Sequence, residues 1–123
     1  MATLANRVYD NGLTVLDTEA NRVDICSTEP ATYTAATSTN TLGNTTSITI
    51  SAPTDGDTSG RKVTLSAISA GSVTATGTAT HYAITDTSNS RLLVTGSLSS
   101  SQSVTSGNTF SLTAVDIEMA DPA

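Results

Sequence analysis

The sequence predicts an all-β protein: an antiparallel β-sandwich, immunoglobulin-like or a small jelly roll, preceded by an N-terminal β-hairpin arm. Three observations predict it. About a third of the 123 residues are Ser or Thr, many alternating with aliphatic residues, as in Val63-Thr64-Leu65-Ser66-Ala67 and Val73-Thr74-Ala75-Thr76. Strand side chains alternate faces, so such a run buries its aliphatic side and shows water a row of small hydroxyls. Turn-forming clusters punctuate the chain at short intervals, and no ten-residue stretch carries an apolar stripe at helical period.

Residues 1–30 read as the arm. They hold Arg7, Asp10, Asp17, Glu19, Arg22, Asp24 and Glu29, and the hairpin signal Asn11-Gly12 lies between Arg7-Val8-Tyr9 and Leu13-Thr14-Val15-Leu16. A turn over Asp17 to Asn21 leads into a strand from Arg22 to Ser27. Glu29-Pro30 closes the segment, because proline lacks the N–H that a central strand donates. Residues 31–46, Ala, Thr and Ser without alternation, read as a connecting loop with room for one helical turn.

The sandwich body spans 47–119. Its strands are expected near Ser47 to Ala52, Lys62 to Ile68, Val73 to Ala79, His81 to Asp86, Arg91 to Leu98 and Thr109 to Glu118. Turns fall at Pro53 to Gly60, Ser69 to Gly71, Thr87 to Ser90 and Ser99 to Asn108. Up to Ala79 the apolar positions are odd, whereas Tyr82 and Ile84 are even. This slip of phase predicts a bulge or a break at Thr80. The Thr87-Ser88-Asn89-Ser90 turn joins the flanking strands as a hairpin, and residues 120–123 form a short tail.

A chain of this length makes one domain. Aromatic residues are only 3%, so Val, Ile, Leu and Ala must fill the core, with Tyr9, Tyr33, Tyr82 and Phe110 as its few large pieces. Such a thin core favours added burial in an oligomer or lattice. The net charge of −6 argues against nucleic acid, which wants clustered cations; the one adjacent basic pair is Arg61-Lys62. No segment approaches the roughly 20 apolar residues of a membrane span, and the N-terminus lacks a signal-peptide stretch, so synthesis in a cytoplasm is expected.

The residues offer little chemistry. Cys26 is single, within Val23-Asp24-Ile25-Cys26, and reads as a small hydrophobe on a strand. His81 could be written into a triad with Asp86, but five residues along a strand place the two on opposite faces, and no nucleophile-elbow pattern surrounds any serine. An interface histidine would instead make association pH-sensitive. Asp55-Gly56-Asp57-Thr58-Ser59-Gly60 spaces oxygens as calcium loops do, yet lacks a third carboxylate and a distal bidentate Glu, and also reads as a plain turn. Asp116 and Glu118 share a face, which alternation makes the wet side of the last strand. No catalytic, cofactor-binding or metal residue is assigned, and no enzyme activity or cofactor is expected.

Two stretches carry a resemblance. Ile25-Cys26-Ser27-Thr28-Glu29-Pro30-Ala31-Thr32-Tyr33 with Leu42-Gly43, and His81-Tyr82-Ala83-Ile84-Thr85-Asp86 with Leu92-Leu93-Val94-Thr95-Gly96, resemble small structural proteins of tailed bacteriophages. The resemblance implies a β-sandwich on the virion surface, a capsid decoration or cement protein binding the major capsid protein as lattice-bound or oligomeric copies. A tail or fibre component contacting a host or carbohydrate is the alternative. Residues 1–30 would anchor the chain, adding a strand to a partner sheet, with Arg7, Tyr9, Leu13, Val15, Arg22 and Tyr33 as candidate contact residues.

Overall fold

The computed structural model describes residues 5–120. Strands make up 49% and helix 18%, which places the protein in the all-β class. Its sheets are antiparallel, one of them curled into a half-barrel, and the fold is sandwich-like. In chain order the elements are α1 (Asn6–Glu19), β1 (Arg22–Cys26), a π-helical turn (Ala35–Thr39), β2 (Thr41–Thr45), β3 (Thr54–Asp55), β4 (Arg61–Leu65), β5 (Ile68–Val73), β6 (Gly77–Asp86), β7 (Arg91–Val104), β8 (Thr109–Leu112) and β9 (Val115–Met119).

The chain divides into two compact units. Among the described residues, the first takes in 5–19, 49–67 and 113–120, and the second 20–48 and 68–112. The first unit holds α1 and a three-stranded sheet in the order β3-β4-β9. The second holds a six-stranded sheet in the order β7-β6-β1-β2-β5-β8.

The expected hairpin at Asn11-Gly12 is replaced by α1, and burial explains why. Tyr9, Leu13 and Leu16, at i, i+4 and i+7, form one helical stripe and are all buried. An extended chain would send Leu13 and Leu16 to opposite faces. The stripe packs on β4, whose Val63 and Leu65 are fully buried. Each such side chain contributes about 1.5–3 kcal/mol, more than the roughly 1 kcal/mol that Gly12 costs inside a helix.

The remainder of the expected arm is no arm. The strand expected from Arg22 to Ser27 forms as β1, but it lies centrally in the six-stranded sheet, antiparallel to both β2 and β6, with Val23 to Cys26 all buried. The loop expected over 31–46 holds the π-helical turn and β2. That strand carries Gly43 and no regular apolar alternation, so it lacks a period-2 signal.

Several boundaries also move. The expected strand from Ser47 to Ala52 is reduced to a single bridge between Ile50 and Leu65. The runs expected from Lys62 to Ile68 and from Thr109 to Glu118 each split in two, at Ser66-Ala67 and Thr113-Ala114, where the chain passes from one sheet to the other. The expected turn from Ser69 to Gly71 lies within β5, and β7 runs on through Ser99 to Val104.

The slip at Thr80 is a bulge within a continuous β6. Ala79 faces Gln102 and His81 faces Ser97, so Thr80 stands opposite a longer stretch of β7. A second shift falls between Ile84 and Thr85. The hairpin over Thr87 to Ser90 forms with Asp86 opposite Arg91.

Candidate functional site

Alternation on β4 and β9 gives the three-stranded sheet two different faces. Val63 and Leu65 lie on the α1 side, opposite Ile117 and Val115. Arg61 shares that parity, and its guanidinium donates from Nε to Asp10 Oδ1 of α1 at 2.8 Å and from Nη1 to Asp55 Oδ1 at 2.7 Å. These contacts, Asp10 foremost, hold the Arg61 pKa above its ordinary value. The helix is thereby tied to the sheet by an ion pair as well as by its apolar stripe.

The other face carries Lys62 and Thr64, paired across the sheet with Glu118 and Asp116. Lys62 Nζ donates to Asp57 Oδ1 at 2.6 Å and Asp116 Oδ2 at 3.1 Å. Thr64 Oγ1 donates to Asp116 Oδ1 at 2.7 Å, and Glu118 accepts the backbone N–H of Asp57. Two carboxylates therefore share one ammonium, and a third, Glu118, caps the backbone beside them. The Thr64 hydroxyl, followed by Lys62, holds Asp116 below the usual carboxylate range, and Asp57, followed by Asp116, raises Lys62. This exposed, net-negative face is a candidate binding surface. Its parts were visible in sequence as the wet carboxylates of the last strand and the pair Arg61-Lys62. What joins them is the pairing of β4 with β9, whose period-2 patterns match.

The Asp55-to-Gly60 turn directs its two carboxylates to different cations, Asp55 to Arg61 and Asp57 to Lys62. Among the described residues no three His, Cys, Asp or Glu side chains gather to hold a metal ion.

In the second unit the polar side chains have separate partners. Asp24 is fully buried; Arg22 donates to it through Nε at 2.7 Å and Nη2 at 2.9 Å, and Thr41 Oγ1 at 2.6 Å. Asp24 in turn holds the Arg22 pKa above its ordinary value. His81 has Thr80 Oγ1 at 2.9 Å from Nδ1, with Ser97 Oγ at 3.4 Å and Glu29 at 3.9 Å from Nε2. Asp86 instead accepts from Asn89 Nδ2 at 2.8 Å and from the Ser88 N–H at 3.0 Å, so the structure does not join it to His81. The buried Cys26 thiol lies 3.7 Å from the Ala36 carbonyl, and burial pushes its pKa up to about 12, far from the thiolate a nucleophile needs.

Of the candidate contact residues, Tyr9 and Leu13 are core, Arg22 is engaged with Asp24, and Tyr33 is half-buried. Arg7 and Val15 are exposed on α1. No protein-family model, curated protein or solved structure matches this chain.

Proposed function

We propose that this chain is a non-enzymatic structural protein of a tailed-bacteriophage virion, a decoration or cement protein bound to the outside of the major capsid lattice. The observation that carries the reading is the uneven partition of surface chemistry between the units. The first holds Asp10, Asp17, Glu19, Asp55, Asp57, Asp116 and Glu118 against Arg7, Arg61 and Lys62. The second has Asp24, Glu29 and Asp86, two of them buried, against Arg22 and Arg91, and its exposed positions include Ser97, Ser99, Ser100, Ser101, Ser103, Thr105 and Ser106.

A hydroxyl-covered surface stays hydrated without offering charge or large apolar groups to other molecules. Such a surface suits display, and the acidic first unit suits attachment to a basic face of capsid protein. Contacts of that kind set register and weaken as salt rises. Repetition over a symmetric shell turns a weak contact into firm attachment. The resemblance to small phage structural proteins supplies the identity of the assembly.

Quantitative peptide mass spectrometry of purified particles, scaled to the major capsid protein, tests the reading. Copies in the hundreds support a decoration role. A handful moves the chain to the tail or a fibre, and none removes it from the virion.

A further inference from the structure

A sheet edge is a row of backbone N–H and C=O groups that can take a further strand, and proteins blunt such edges in recognisable ways. Three of the four edges in the two sheets are blunted. β3 is two residues long. β7 is broken by the bulge opposite Thr80. On β8 the Gln102 side-chain amide donates to the Ser111 carbonyl at 3.2 Å. β9 differs: its five residues pair with β4 without a shift of register, and none of them is buried. Among the described residues no strand lies along its outer side.

The direction of the backbone groups on that edge follows from β4. The Thr64 carbonyl accepts the Ser51 N–H at 3.0 Å, and the Thr64 N–H donates to Ser51 Oγ at 3.0 Å. Both backbone groups of Thr64 thus point away from β9, so Thr64 and Asp116 face each other without exchanging hydrogen bonds. Alternation along an antiparallel ladder puts Lys62 and Glu118 in the same class. Asp116 and Glu118 therefore turn their own N–H and C=O groups outward. The two residues that present backbone to the open edge are the two that carry carboxylates beside it.

We infer that β9 takes up an extended segment of a partner protein as a further strand, with Lys or Arg at two alternate positions facing Asp116 and Glu118, and apolar residues at the positions between and beside them. Charge and parity select this occupant. Lys62 is shared between Asp57 and Asp116, and Glu118 accepts a backbone N–H, so the row stays net negative. A cation directly opposite each carboxylate is a favourable cross-strand pair. On the other side of the strand Val115 and Ile117 are half-buried and Met119 is exposed, which suits apolar neighbours. A second copy does not fit. Two β9 strands paired antiparallel about Ile117 would set Asp116 against the second copy's Glu118, and pairing about Asp116 or Glu118 would set that carboxylate against its own equivalent.

The inference rests on the reading of the first unit as the attaching one. A chain present in hundreds of copies per particle that binds no such segment would keep that reading and strike only the edge.

The test titrates a peptide of about nine residues, Val alternating with Lys and Thr at both ends, into the full chain and follows its amides by NMR. So short a contact is weak, with an expected Kd of roughly 0.1 to 1 mM. The Asp116 and Glu118 amides should gain protection from hydrogen exchange, while that of Ile117, already turned to β4, changes little. Methylating the backbone nitrogens of the Lys residues keeps the charge and removes the bonds, so binding should weaken at least about tenfold. Methylating those of the Val residues, which point away from β9, should change it less than about twofold. A peptide with Glu in place of Lys should not bind, and 0.5 M salt should weaken the Lys peptide. No binding at about 5 mM, equal binding of the Glu peptide, indifference to methylation at Lys, or protection gained on another strand instead would each overturn the proposal.

Discussion

Phe110 lies across the sheet from Gly71 and its ring occupies the space a β-carbon on that glycine would take. The same relationship recurs in the strand pair β6–β7, where Tyr82 stands opposite Gly96 and covers it. Both rings are buried. In a core with so few aromatic residues, a glycine opposite each ring gives it backbone to lie on, and the ring shields that backbone from water. Adding a methyl at Gly71 forces Phe110 out of place, so Gly71→Ala is expected to destabilise by about 1–3 kcal/mol. Phe110→Ala should cost about 3–5 kcal/mol. The two are in contact, so the double variant should cost less than the sum, as read from urea midpoints. Strict additivity would mean that ring and glycine do not act together.

Gly12 behaves in the opposite way. A β-carbon there meets only Met119, at ordinary van der Waals distance. Gly12→Ala should therefore gain helix propensity without a clash and stabilise the chain by about 0.5–1 kcal/mol. The thermal melting temperature should rise by roughly 2–4 °C. A fall would place Gly12 outside a regular helix.

These two glycines mark how far the sequence could be read. Where one face of a strand is dry and the other wet, alternation named the strand, as at β4 and β9, and even located the Thr80 bulge from a change of phase. Where neighbours bury both faces, as at β1, or where a glycine stands in for an apolar residue, as at Gly43 in β2, position in the sheet is a tertiary fact with no local period. At α1 two local signals conflicted. Asn-Gly favours a turn, while Tyr9, Leu13 and Leu16 favour a helix, and packing on Val63 and Leu65 decided between them. The candidate binding face was legible as residues but not as a site, because the cations Arg61 and Lys62 meet carboxylates about fifty residues away in sequence.

Asp24 gives a sharper test of what holds the six-stranded sheet. It is wholly buried and its carboxylate takes three hydrogen bonds, two from Arg22 and one from Thr41. Removing one partner strands the other, so Asp24→Ala should cost about 3–5 kcal/mol. Replacing the pair together, Arg22→Met with Asp24→Leu, should recover much of that loss, because neither charge then needs a partner. Equilibrium unfolding of the three variants checks both. A single variant within 1 kcal/mol of the parent would mean that water reaches the carboxylate.

Acid should weaken the fold through Asp86 and Asp116. The Asn89 amide first, and then the backbone N–H groups of Ser88 and Asn89, hold Asp86 below the ordinary carboxylate value of 3.8; the Thr64 hydroxyl and Lys62 do the same for Asp116. A group with a lowered pKa binds fewer protons folded than unfolded. Its stabilisation is fully present above the unfolded value and is lost as pH falls through the folded one. Asp86→Asn and Asp116→Asn should therefore each lower stability at pH 7 and flatten its decline below about pH 5. Salt should separate the two. Lys62 is charged and the Asp116 side chain is 41% exposed, so 0.5 M salt should shrink the Asp116 effect. The main donors to Asp86 are neutral, so its effect should persist. Urea midpoints from pH 2.5 to 7 at low and high salt read both, and an equal salt response would mean that charge rather than hydrogen bonding governs Asp86.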